Sequence, residues 1–91
     1  MAKRVHVVLK GRVQNVGFRV FLLQAAQRLR LSGWVRNLPS GHVELEAEGD
    51  DQAVDELVAL ARRGPRLARV DQALIEPRAP LGEEPPEFAM R

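Results

Sequence analysis

The chain has 91 residues, room for one small domain over residues 1–91 and no second. With 45% hydrophobic and 29% charged residues it reads as a soluble globular protein, and its apolar runs are too short to span a bilayer. The absence of cysteine excludes disulfides, thiolate metal sites and cysteine nucleophiles; two histidines, His6 and His42, are too few for a His-rich metal site, and 4% aromatic residues are too few to stack several bases. Met1 to Arg4 leads straight into a strand-like run without the apolar region of a signal peptide, so a cytoplasmic location with no membrane partner is expected.

The net charge of +2 hides an asymmetry. Residues 1–43 carry eight basic side chains and no acidic one, whereas all twelve carboxylates lie in residues 44–91. An N-terminal half without a carboxylate is suited to binding an anion.

Val5-His6-Val7-Val8-Leu9-Lys10 is β-branched and nearly continuous, and reads as a central buried strand. Gly11 to Gly17 is a turn-rich break. Phe18, Phe21, Leu22, Ala25 and Leu29 then fall at helical spacing, which predicts a helix over residues 19–30 ended by Ser32-Gly33. Trp34-Val35-Arg36 begins a short strand, and Leu38-Pro39-Ser40-Gly41 signals a hairpin. Residues 42–48 alternate: Val43, Leu45 and Ala47 point one way, and Glu44, Glu46 and Glu48 form what reads as a solvated strand face. Asp50 is a good N-cap for a second helix whose apolar face is Val54, Leu57, Val58 and Ala61, stopped by Gly64-Pro65. Residues 69–76 read as another strand. Four of the six prolines mark 77–86 as a loop, after which Phe88-Ala89-Met90 is read as a short edge strand. The order β-α-β-β-α-β predicts a ferredoxin-like α/β sandwich, two helices on one face of a mainly antiparallel sheet of four or five strands.

The informative segment is Gly11-Arg12-Val13-Gln14-Asn15-Val16-Gly17-Phe18-Arg19, between the buried strand and a helix N-terminus. Free N–H groups and the positive end of the helix dipole attract an anion there. Gly17, and Asn15 in the left-handed conformation, can curl successive N–H groups into a nest. The Gly-Lys-Ser/Thr ending of a nucleotide-binding P-loop is missing, so a simple phosphoryl group is the expected ligand. Arg19 is a cation on the unfavourable side of the dipole. A bound phosphate gripped by its guanidinium, or a carboxylate from the second half, would offset it. The only other asparagine, Asn37, ends a strand; its amide either holds a water or merely starts the turn.

Gly11-Arg12-Val13-Gln14-x-Val16-Gly17-Phe18-Arg19, then Gly33-Trp34-Val35-Arg36-Asn37, then Gly41-x-Val43-Glu44, resembles acylphosphatase, as do Ala47-Glu48-Gly49 and Gly64-Pro65. The resemblance implies metal-independent hydrolysis of acyl phosphates to carboxylate and phosphate, with no cofactor. It implies a cradle formed by Gln14, Asn15, Val16, Gly17, Phe18 and Arg19, with Arg19 binding the phosphoryl group and Asn37 orienting the attacking water. The partner implied is a small acyl phosphate, not a nucleic acid, and a monomer is expected. The family usually has glycine where this chain has Asn15, the non-glycine residue best able to take that turn. The rival readings are a non-catalytic nucleic-acid or anion-binding module of the same fold, and a carbamoyl-phosphate-handling unit like that of larger hydrogenase-maturation proteins. RNA-recognition domains need aromatics on the third strand, where this chain presents glutamates.

Overall fold

The computed structural model describes residues 2–82 and 85–91. It contains β1 (Ala2–Arg12), α1 (Phe18–Arg28), β2 (Ser32–Asn37), β3 (Val43–Asp50), α2 (Asp51–Arg63), β4 (Arg69–Arg78) and β5 (Phe88–Met90). The strands form one sheet in the order β4-β1-β3-β2-β5. All pairings are antiparallel except that of β5 with β2, which is parallel. β3 lies between β1 and β2, which makes the β1-α1-β2 crossover a split βαβ unit. The expected ferredoxin-like sandwich is therefore present, with five strands.

The period-two alternation of the sheet builds the core. Val5, Val7 and Leu9 pair with Ala47, Leu45 and Val43 across β1 and β3, and all six are buried against the helices. Phe18, Leu22, Ala25 and Ala26 of α1, and Val54, Leu57 and Ala61 of α2, supply the facing layer. Gly33 marks a close approach of backbones. At φ 138° a Cβ there would stand 2.0 Å from the Glu46 carbonyl oxygen, so only glycine lets β2 lie this tightly on β3.

Helix α2 starts as expected, with the Asp50 carboxylate accepting from the Gln52 N–H at 3.2 Å. Helix α1 ends two residues earlier than its periodicity predicts. Leu31 N–H donates to the Ala26 carbonyl and Arg30 N–H to that of Gln27, the paired bonds of a Schellman turn, with Arg30 at φ 57° in the position glycine usually takes. A left-handed arginine costs about 1–2 kcal/mol. Burial of Leu31 just beyond it offsets this.

The second face of the sheet corrects the sequence reading. Glu44, Glu46 and Glu48 are not a solvated face: Glu48 is 4% exposed and the other two are half-buried. Glu48 accepts from the Arg4 guanidinium at 3.1 Å and from the Leu81 and Gly82 N–H groups at 2.7 and 2.9 Å. Glu46 accepts from Arg4 Nε at 2.7 Å. Glu44 bridges His6 and Arg36, each at 2.6 Å. Residues 79–82, just after β4, thus lie as a strap over this face, with Leu81 and Gly82 on Glu48 of β3. Among the described residues no helix is long and apolar enough to cross a membrane.

Candidate active site

The loop between β1 and α1 starts at an irregularity in the β1–β4 register between Lys10 and Gly11. It then turns through Asn15 at φ 61° and Gly17 at φ 77°, both left-handed as the sequence suggests. Gly17 is the N-cap of α1 and offers no side chain to the free N–H groups of the first turn, which also contains no acidic residue. Among the described residues, the main-chain N–H groups of Asn15, Val16, Gly17 and Phe18 find no acceptor. Open donors at a helix N-terminus with positive dipole sign are what an oxyanion requires.

Three of these residues, Asn15, Gly17 and Phe18, line a cavity of about 120 Å³ together with Arg19 of α1 and with Asn37 at the end of β2. That is room for several waters, hence for a tetrahedral oxyanion and a nucleophile. Asn37 reaches the cavity because it shares the helix-side face of β2 with Val35, at the register position opposite Val43. Its amide has no hydrogen-bond partner among the described residues. Two members of the expected cradle stand back from the cavity. The Val16 side chain packs against the core. The Gln14 side chain turns the other way and donates from Nε2 to the carbonyls of Leu38 and His42, at 2.8 and 2.9 Å. It thereby ties the loop to the hairpin that follows Asn37.

Arg19 donates from Nη1 to the main-chain oxygen of Arg91 at 3.0 Å. Among the described residues no Asp or Glu side chain pairs with it. Arg91 is itself anchored, its N–H bonded to the Val35 carbonyl at 2.8 Å and its guanidinium 4.8 Å from the centre of the Trp34 ring. Sequence reasoning missed this support, and also missed Val13, Val20 and Met90 as walls of the cavity. Val20 carried a signal, being an apolar residue off the buried stripe of α1. Met90 carried none, because its place depends on the pairing of β5 with β2. Among the described residues no three His, Asp or Glu side chains converge on a metal position.

The fold is a small ferredoxin-like α/β sandwich, and in it open main-chain N–H groups, one guanidinium and one carboxamide border a common cavity. Comparison with known proteins narrows the class. A profile described as acylphosphatase matches residues 5–90. The chain is 54% identical over 81 residues to an acylphosphatase of Methylococcus capsulatus, covering 89% of this chain and 88% of that one. Among solved structures, an acylphosphatase from Coxiella burnetii superposes with a TM-score of 0.91 at 33% identity, covering 99% of this chain and 93% of that one. HypF of T. kodakarensis superposes with a TM-score of 0.79 at 31% identity, covering 97% of this chain and 12% of that one. The chain belongs to the acylphosphatase family.

Proposed function

We propose that residues 1–91 form one acylphosphatase domain that hydrolyses the carboxyl–phosphate bond of acyl phosphates without a metal ion. The observation that carries this reading is that Asn15, Gly17 and Phe18, whose main-chain N–H groups find no acceptor among the described residues, line one cavity with Arg19 and with Asn37, whose amide is unpartnered there. The N–H nest and Arg19 bind the phosphoryl oxygens. Asn37 accepts from and donates to a water held in line with the P–O bond. The leaving group is a carboxylate, a weak base that needs no general acid. Phosphoryl transfer through a loose transition state leaves the protein mainly positioning and charge stabilisation to supply. Water attacks phosphorus, the P–O bond to the acyl oxygen breaks, and the proton passes to a substrate oxygen, since among the described residues no Asp, Glu or His side chain lines the cavity. The guanidinium and the amides supply the positive field on the equatorial oxygens. A monomer acting on a small acyl phosphate, with neither a nucleic acid nor a membrane as partner, belongs to the same reading. A cytoplasmic location completes the reading.

The test follows benzoyl phosphate hydrolysis in the ultraviolet with a chelator present, for wild type, Arg19→Ala and Asn37→Ala. Arg19→Ala is expected to lose at least the 10²–10³-fold typical of one oxyanion donor, about 3–4 kcal/mol. Arg19→Lys is expected to recover little of it, because an ammonium lacks the planar fork. Full activity in Arg19→Ala, or activity that requires added metal, overturns the mechanism.

A further inference from the structure

We propose that Val20 and Met90 form an acyl-binding wall that makes the site selective for acyl phosphates with an apolar acyl group larger than acetyl. The inference rests on the acyl phosphate reading above and adds the part of the substrate that the phosphate cradle does not touch.

The cavity has two chemically distinct sides. One carries Asn15, Gly17, Arg19 and Asn37, all polar or presenting main-chain N–H groups. The rest of the lining is apolar: the side chains of Val13, Phe18, Val20 and Met90. Val13 and Phe18 are buried core residues. Val20 and Met90 are each 45% exposed. Large hydrophobic residues are exposed at only five places among the described residues, and two of those places border this one cavity. The other three, Leu67, Leu74 and Leu81, line no part of it.

Neither residue is there to serve the fold. Val20 lies two positions after Phe18, off the face of α1 formed by Phe18, Leu22, Ala25 and Ala26. A β-branched apolar side chain in the exposed first turn of a helix is disfavoured by propensity and gains nothing from the core. Met90 ends β5, on the helix side opposite Val35, and its unbranched thioether adapts to apolar partners of different shape. With the phosphoryl oxygens on the main-chain N–H groups and Arg19, the acyl group is left to the two exposed apolar side chains that line the same cavity. An apolar acyl group there removes both from water. A charged or strongly polar one would have to shed its hydration against them.

The contact is made alike in the bound substrate and the transition state, so its effect falls on KM more than on kcat. With chelator present, kcat and KM are measured for benzoyl, butyryl, acetyl and carbamoyl phosphates, on wild type, Val20→Ser/Met90→Ser and Val20→Ile/Met90→Leu. The wild type is expected to favour benzoyl over acetyl phosphate about tenfold in kcat/KM, the low end for one apolar contact, with butyryl between them. In the serine double variant that ratio is expected to fall close to one through KM, and in the Ile/Leu variant to persist. A wild-type ratio near one overturns the proposal without any variant. So does a preference that survives in a serine variant with native circular dichroism. Hydrolysis of none of the four compounds overturns instead the acyl phosphate reading beneath it.

Discussion

Arg4 and Glu48 face each other directly across β1 and β3 and share a 3.1 Å hydrogen bond in a space almost closed to water, each about 4% exposed. Both lie on the side of the sheet away from the helices, where the 79–82 strap covers them. Removing one partner of a buried pair leaves the other charged and uncompensated. Arg4→Met is expected to cost about 3 kcal/mol, the lower end for such pairs because Leu81 and Gly82 still donate to Glu48. A urea denaturation series reads this, and Arg4→Met/Glu48→Leu is expected to recover little of the loss, because the Leu81 and Gly82 N–H groups then lose their acceptor.

The same region governs acid stability. Burial pushes the Glu48 carboxyl up, but the Leu81 and Gly82 N–H groups and Arg4 more than reverse this, so it titrates below the ordinary range. Burial likewise raises Glu44, and its bonds to His6 and Arg36 bring it below its usual value. A carboxyl lowered by folding contributes stability that is complete above its unfolded pKa, about 4.3, and is lost as pH falls through its folded value. Unfolding free energy is expected to be level in this respect above about pH 5.5 and to drop below about pH 4.3. Glu48→Gln is expected to be less stable at pH 7 and to show a shallower drop. An equally steep acid limb in that variant would contradict the assignment.

The two Gln14 bonds hold the cradle against the hairpin behind Asn37. Gln14→Leu keeps much of the volume and removes both. At about 1 kcal/mol per bond the loss is about 2 kcal/mol of stability. Because the bonds set how far the cradle stands from Asn37, kcat is expected to fall at least about tenfold, as misplaced groups in a positioned reaction do. Denaturation and steady-state kinetics on one preparation separate the two effects.

Asn15 tests how much side chain the cradle accepts. At φ 61° a glycine fits without strain, so Asn15→Gly is expected to stay within about 1 kcal/mol of wild type and remain active. Asn15→Val puts a β-branched residue in the left-handed region and is expected to lose about 1–2 kcal/mol, with reduced activity. Thermal melts together with benzoyl phosphate turnover check both.

Much of this was legible in the chain because it depends on neighbours in sequence. The alternation of residues 43–48, the Asp50 cap, and the left-handed turns at Asn15 and Gly17 are local features, and the structure has each. Arg19 and Asn37 were conspicuous as a cation in a first helical turn and as one of only two asparagines. What escaped depends on segments far apart in sequence. Alternation alone marks Glu48 as outward-facing, and only the strap arriving from beyond β4 buries it. The end of α1 escaped because Arg30 takes a conformation usually left to glycine, made affordable by Leu31. The side chain of Gln14, for which sequence reasoning offered no role beyond its place in the backbone cradle, ties the loop to the next hairpin.

The parallel pairing of β5 with β2 brings the last strand against α1, so a cavity begun by the first loop is finished by Met90 and by the Arg91 oxygen that holds Arg19. Contacts so distant along the polymer carry a large closure entropy and form slowly. Without β5 the cavity would lack its Met90 wall and Arg19 the oxygen that holds it, although Arg19 and Arg91 stand 72 residues apart along the chain.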